Sequence, residues 1–423
     1  MKKYKLGEIA EITSSKRIFE KEYVEDGIPF IRGQEITDGS ITNSSSKFLC
    51  YISPERYEEL KKTYGVPQKN DILITAVGTI GNTYLVEDNK KFYFKDGNII
   101  WFKNISSEVY PEYLQFFMKS SFFNKQIEYS LIGAVQKALT IVMLSKIEIP
   151  LPTFQTQQKI AAVLSALDDK IALNRRMNAK LEQMAKRLYD HWFVQFDFPN
   201  ADGKPYKASG GKMEYNEVLK REIPEGWEVK CVSDVIEPIE RGISYTSEEI
   251  KNESGIPMLN LACFDKQGEY RSGEFKFFSG NVTDKVYPFE MFIACTDMTQ
   301  NADIIGRPIF APTEYKEYVY SMDLAKITPK SISKMYLYYT LRTEFYHKYI
   351  KPFASGTNVK HLNINGTERY TIPVPLKDIL EKFEITIRPI KEKQQICLQE
   401  IQKLTALRDQ LLPLLMNGQV EVK

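Results

Sequence analysis

One stretch of this chain is written twice. "GAVQKALTIVMLSKIEIPLP" runs from Gly133 to Pro152, and "GTNVKHLNINGTERYTIPVP" runs from Gly356 to Pro375. Each opens on Gly, carries a side-chain amide and a Lys soon after it, and ends Ile-Pro-x-Pro. The two glycines stand 223 positions apart, and so do Pro150 and Pro373. The same shift lays "YLQFFMKSSFFNKQI" from Tyr113 over "YLYYTLRTEFYHKYI" from Tyr336, and Leu6, Ile9 and Ile12 over Val229, Val232 and Val235. "GIPFI" at Gly27 answers "GIPML" at Gly255, where the offset has drifted to 228. A repeat of this reach dictates the architecture before any local reading, because each copy must fold as the same unit. Two globular parts of one build are expected, residues 1–152 and 224–375.

Within each part, apolar runs such as "DILITAV" and "EMFIACT" are bounded by turn words such as "EDGIP" and "DGS" and read as strands. One helix is expected at Tyr113 and its counterpart at Tyr336. The class is mixed α and β, with two tandem α+β domains.

Each part is followed by a long helix. From Thr153 to Phe193 there are 41 residues with neither Pro nor Gly. A series at alternating spacings of four and three, eight of its ten positions apolar, runs there: Ile160, Leu164, Leu167, Ile171, Asn174, Asn178, Leu181, Ala185, Leu188, Trp192. Shifted by 223 the series becomes Phe383, Ile387, Ile390, Gln394, Cys397, Ile401, Leu404, Arg408, Leu411, Leu415. Each is a coiled-coil seam sustained over more than four heptads. The two seams are expected to pair antiparallel, with the differing polar positions setting register and an approximate twofold axis inside one chain. Pro389 predicts a kink or a fresh helix start, and Pro413 the end of the helix. The predicted organisation is therefore a first domain at 1–152, a central helix at 153–196, a linker at 197–223, a second domain at 224–375, a distal helix at 376–416 and a tail at 417–423. The linker is rich in Gly, Pro and Lys and without a steady period, so it reads as a connector.

Composition removes several classes of function. No apolar run approaches the ~18 residues of a membrane span, and "MKKYKLGEIAEI" lacks the apolar core of a signal peptide. Five scattered Cys without a CxxC pair predict reduced thiols, a cytoplasmic setting and no zinc site. Three His without HExxH spacing, no GxGxxG, no GxSxG and no phosphate loop leave no motif for metal, nucleotide or acyl chemistry. No Asn/Asp-Pro-Pro-aromatic tetrad is present, as an adenine amino-methyltransferase would need. A net charge of +2 points to no partner by itself, so a nucleic-acid surface would have to come from local clustering.

At this point the chain resembles the specificity subunits of type I restriction–modification systems, over essentially its full length. "QQKIAAVLSALDDKIALNRRMNAKLEQMAKRLYDHWFVQF" is similar to the central region of that family, and "LQEIQKLTALRDQLLPLLMNGQVEV" to its distal region. The globular parts resemble the family's target-recognition domains only in outline. The resemblance implies a non-catalytic subunit that reads a bipartite duplex DNA site, one half per domain. Its implied partners are double-stranded DNA, two modification subunits that carry S-adenosylmethionine, and, where present, restriction subunits that add translocation and cleavage. No cofactor is expected on this chain. The repeat agrees with that role, since a twofold reader presents two halves to two half-sites. A seam of about 36 residues is about 54 Å long at 1.5 Å per residue, enough to hold two readers a helical turn of DNA (about 34 Å) apart. Two other readings fit the residues: a protein-interaction scaffold with a coiled-coil spacer, and a fused enzyme with catalytic carboxylates drawn from distant positions.

Direct readout uses Arg or Lys for guanine and Asn or Gln for adenine, presented from loops. Candidates in the first part are Lys16, Arg17, Arg32, Gln34, Thr79, Asn82, Gln136 and Lys137. Those in the second are Arg241, Thr296, Thr299, Gln300, Asn301, Thr357, Asn358, Lys360 and His361.

Overall fold

The structure is a computed structural model that describes residues 2–37, 39, 41, 50–87, 90–131, 138–251, 254–265, 267–271, 275–282 and 284–422. It divides into two compact units, Met1–Ile171 with Leu404–Lys423, and Ala172–Lys403.

The units share three sheets, strand for strand. In the first unit Lys2–Lys5 pairs antiparallel with Glu148–Leu151, and in the second Glu228–Cys231 pairs antiparallel with Thr371–Val374. A four-stranded sheet in the order Glu11–Thr13, Ile99–Lys103, Ile72–Thr75, Thr83–Leu85 is matched by Glu240–Arg241, Leu324–Ile327, Met291–Ala294, Pro308–Phe310. The "DILITAV" and "EMFIACT" words are thus its equivalent inner strands, and all four residues of each are buried. A second four-stranded sheet holds Ile28–Ile31 in one unit and Ile256–Leu259 in the other, each with one parallel neighbour. The glycine before each of these strands has a positive φ, 153° at Gly27 and 124° at Gly255. A Cβ there would lie 2.4 Å from the Ile52 carbonyl oxygen or 2.3 Å from that of Phe278, so only glycine permits the approach.

The repeated words of the sequence meet in space. The hydroxyl of Tyr113 donates to the carbonyl of Pro150 at 2.9 Å, and the hydroxyl of Tyr336 donates to the carbonyl of Pro373. Both tyrosines are fully buried, so each hydroxyl needs an internal acceptor, and the Ile-Pro strand supplies it. The helix expected at each tyrosine is a pair of helices, Pro111–Lys119 with Ser121–Leu131 and Lys334–Leu341 with Glu344–Ile350.

The central helix runs Phe154–Tyr189 and closes in a π-helical turn, Asp190–Val194. The distal helix runs Lys377–Met416. None of the twenty seam positions is exposed. The pairing is antiparallel: Asp168 meets Arg408 at 2.9 Å in the first unit, and Asn174 meets Glu400 at 2.9 Å and Glu182 meets Lys391 at 2.7 Å in the second. Pro389 starts no new helix; the distal helix is one element through it and ends three residues beyond Pro413. Pro389 lies on an exposed position, where water can satisfy the carbonyl it leaves without a donor.

Each core takes residues from both helices. In the first unit Ile160 and Leu164 of the central helix join Leu412, Leu415 and Met416 of the distal helix. In the second Phe383 and Ile387 of the distal helix join Tyr189, Trp192 and Phe193 of the central helix. Leu412, Leu415 and Met416 are the repeat equivalents of Tyr189, Trp192 and Phe193. The segment read as a plain connector is partly built in. Met213–Asn216 and Arg221–Pro224 form a hairpin, and Phe196, Phe198 and Ile223 join the second core with Trp227. Aromatic stacking, 5.4 Å between the Phe198 and Trp227 rings, fixes a stretch whose Gly and Pro content masked it.

Phe383 is fully buried, with ring centroids 4.8 Å from Phe193 and 5.7 Å from Trp192. Phe383→Ala is expected to cost about 3–5 kcal/mol, read by denaturant unfolding of the second unit's aromatic fluorescence. A loss below about 1 kcal/mol would mean that this helix crossing does not hold the core.

Candidate functional site

At the same end of the inner strand in each unit, a short loop carries exposed side chains. In the first unit it is Val77-Gly78-Thr79, in the second Met298-Thr299-Gln300-Asn301. Both loops are tied from below, by different means. The Thr75 hydroxyl donates to the Thr79 carbonyl and accepts from the Asn82 amide at 3.0 Å, and Gly81 N–H donates to the Thr75 carbonyl at 3.0 Å. Asp297, 1% exposed, accepts from the amides of Thr299 at 2.7 Å and Ile304 at 2.8 Å. Below that second loop a neutral His347 fits the contacts. Burial, and then the charge of Arg307, hold its pKa below the ordinary histidine value. Its Nε2 can then donate to the Ala302 carbonyl (3.2 Å) while Nδ1 accepts from Arg307 (2.9 Å). The loops are preorganised and their tips are left to solvent.

The first unit has a cleft of about 380 Å³ lined by Arg32, Gly33, Gln34, Thr37, Val77, Gly78, Thr79, Lys95 and Asn98. It brings together three residues expected from the sequence, Arg32, Gln34 and Thr79. Arg32 is braced by the buried Glu35, whose Oε1 accepts from Nη2 at 2.8 Å and from Nε at 3.3 Å. Asn82 borders the cleft and donates to the Thr37 hydroxyl at 3.0 Å. Arg17 pairs with Asp96 at 3.0 Å, beside Lys95 of the cleft. Lys16 is exposed, with its ammonium 5.4 Å from the Tyr64 ring centroid. Lys95 and Asn98 were not anticipated; they come from the turn word "KDGN", which reads as a plain loop until the sheet folds it against the cleft. Gln136 and Lys137 lie outside the described residues. Leu139, which follows them, donates its N–H to the Ala76 carbonyl at 2.9 Å.

In the second unit Leu362 makes the equivalent bond to the Cys295 carbonyl at 2.8 Å. A three-stranded sheet in the order Thr296–Asp297, Lys360–Leu362, Ala354–Ser355 sets the 298–301 loop beside the turn at 356–359. That turn needs Gly356, whose φ is 117° and whose added Cβ would lie 2.0 Å from the Val359 carbonyl oxygen. Thr357, Asn358 and His361 are exposed there, as are Thr299, Gln300 and Asn301 on the neighbouring loop. Lys360 is half-buried and folds its ammonium back onto the Gly356 carbonyl at 2.7 Å. Thr296 corrects the sequence reading: it is 3% exposed and its hydroxyl donates to Asp323 at 2.8 Å, so it braces the loop from inside. Arg241 is exposed on the edge strand Glu240–Arg241. Met298, 76% exposed, was missed because an apolar residue beside a strand reads as core. Among the described residues no His, Cys, Asp and Glu come together in a group that could hold a metal ion. No described helix is long and apolar enough to cross a membrane.

The fold is that of an internally duplicated chain: two α+β units with like frames and unlike loop tips, joined by an antiparallel helix pair. Residues 1–183 match the family described as "Type I restriction modification DNA specificity domain". The chain is 28% identical over 358 residues to the type I restriction enzyme MjaIX specificity subunit of Methanocaldococcus jannaschii, covering 84% of this chain and 78% of that one. It is 26% identical over 444 residues to the HindI specificity subunit of Haemophilus influenzae, covering 91% and 94%. The crystal structure of a type I restriction–modification S subunit from M. genitalium superposes with a TM-score of 0.55 at 15% identity over 98% of this chain and 95% of that one, so the fold is shared. The first 183 residues thus match a type I DNA specificity domain, and the chain is similar to type I specificity subunits along most of its length.

Asp297→Ala removes the acceptor for two loop amides. We expect at least about tenfold faster hydrogen exchange at residues 299–304, since each stranded amide costs about 1–3 kcal/mol. Exchange at Met291–Ala294 should stay as slow as in the unaltered chain. Unchanged exchange in the loop would show that Asp297 does not organise it.

Proposed function

We propose that the chain is the non-catalytic reader of a bipartite, asymmetric duplex DNA site. Each unit reads one half-site with its loop tips, and the helix pair sets the spacer. The observation that carries this reading is the contrast between equal frames and unequal tips. Sheets, glycines and buried tyrosines repeat, whereas Val77-Gly78-Thr79 stands where the other unit offers Met298-Thr299-Gln300-Asn301. A duplicated frame suits two half-sites of one duplex, and differing tips suit half-sites of differing sequence. Amides, hydroxyls, Arg32 and Lys95 are the side-chain types that meet base edges and phosphates.

The partners follow from the helices. Asp169, Leu173, Lys180 and Met184 of the central helix are all exposed, and at the equivalent positions of the distal helix stand Glu392, Ile396, Lys403 and Leu407, also exposed. On each helix these four fall within about 100° of arc. Seam positions are constrained by the pairing itself, but outward ones are not. Two like outer faces suit two copies of one partner, which we take to be modification subunits carrying S-adenosylmethionine. Restriction subunits join that complex where the system has them. Methyl transfer and cleavage then belong to those partners.

Binding of duplex DNA by the assembled complex should fall steeply with salt, through counterion release from phosphates. Gln34→Ala with Thr79→Ala should relax one half-site, and Gln300→Ala with Asn301→Ala the other, each lost base contact costing about 1–3 kcal/mol. Binding to duplexes altered in one half at a time reads this out. Salt-independent binding, or either pair of substitutions relaxing both halves equally, would favour the protein-interaction scaffold instead.

A further inference from the structure

In the second unit a carboxylate of the central helix is the hub of a buried network. Glu182 accepts from Lys391 of the distal helix at 2.7 Å and from Gln394 at 3.1 Å, and faces Nε of Arg342 at 3.7 Å. Arg342 caps the helix Lys334–Leu341 of the globular fold, and also binds Glu269 at 2.6 Å and the Tyr338 hydroxyl at 3.1 Å. The three charged side chains are 9–14% exposed. Lys391 lies 4.9 and 5.0 Å from the Tyr338 and Tyr339 ring centroids. Burial alone would raise the pKa of Glu182, but Lys391 and Arg342 hold it down to about 2, so it stays ionised.

The first unit places a parallel set at a different register. Lys119, the repeat equivalent of Arg342, approaches Asp168 of the central helix at 3.9 Å, and Asp168 binds Arg408 of the distal helix at 2.9 Å. Again a cation at the end of a domain helix meets a carboxylate of the central helix, itself paired with a cation of the distal helix. This set is wetter, with side-chain exposures of 28–41%. The pairing has therefore been built twice from different residues, since the equivalents of Glu182 and Lys391 are Thr405 and Asp168. A stability role alone would be met by apolar residues, which serve as well as buried ion pairs or better. What a directional charge pair adds is a fixed geometry.

We propose that Glu182, with Arg342 and Lys391, is the positioning element that sets how the second recognition fold stands on the helix pair, and through it the spacer that the reader accepts. This rests on the DNA-reading role proposed above. Beside the network lies a cavity of about 190 Å³, lined by Asn178, Glu269, Phe289, Phe310, Tyr338 and Gln394 among others. With the charge removed, that room is where a small shift of the fold on the helices can be taken up, beside the stacked Phe310 and Tyr338 rings, 4.3 Å between centroids.

The test uses the full chain assembled with its modification subunits and maps methylated sites for the unaltered chain, Glu182→Gln, Arg342→Gln and Asp168→Asn. Both substitutions in the buried network should leave the half-site sequences intact. They should raise methylation at sites with a spacer one base pair longer or shorter by about tenfold, in line with a lost charge-assisted hydrogen bond. Asp168→Asn, in the exposed set, should change spacer tolerance less. A purely structural role would lower methylation at every site and leave the spacer as sharp as before, and that result overturns the proposal. So does failure of both network variants to assemble. If the unaltered complex yields no split site at all, the DNA-reading role fails instead.

Discussion

The fold depends on one constraint: neither globular part closes its core with its own helix alone. Ile160 and Leu164 begin the job in the first unit, and Leu412, Leu415 and Met416, from the far end of the other helix, complete it. Phe383 and Ile387 with Tyr189, Trp192 and Phe193 do the same in the second. This crosswise arrangement requires antiparallel helices of matched length, which is why a 36-residue and a 40-residue helix occur in a chain whose other described helices are no longer than 11. It also explains the repeat. One frame written twice satisfies both closures with one set of packing rules.

Function then divides along the same line. Positions that face inward are held to the repeat by packing: the tyrosine-to-proline hydrogen bonds, the positive-φ glycines before the Ile-Pro strands, and the seams. Loop tips carry no such duty. Thr75 and Asp297 stabilise their loops by unrelated hydrogen bonds, yet each leaves a run of side chains outward at the end of an inner strand. A frame that tolerates any tip is what a reader of varied sequences requires.

Much of this was legible in the sequence, because repeat and heptad signals are local or periodic. The twenty seam positions follow from alternating four and three spacing, and none of them is exposed. The site was legible in kind but less in detail. Arg32, Gln34 and Thr79 do share a cleft, but Lys95 and Asn98 reach it from the turn between two other strands, and no spacing in the chain announces that. Thr296 was misjudged because a threonine at a strand end looks the same in sequence whether its hydroxyl meets solvent or Asp323. Glu182 and Lys391 stand 209 positions apart, so their pairing emerges only when the seams are in register. Phe196 and Phe198 were hidden by the glycines, prolines and lysines around them.

The central claim is that two unlike readers on one duplicated frame recognise two unlike half-sites at a fixed separation. It is tested most directly by expressing the unaltered chain with its modification subunits in a host free of other such systems and sequencing the genome for methylated bases. The account predicts a single motif of two different defined halves separated by an undefined spacer of constant length. A continuous motif, two identical halves, or no methylation by a complex that is otherwise assembled and active would contradict it.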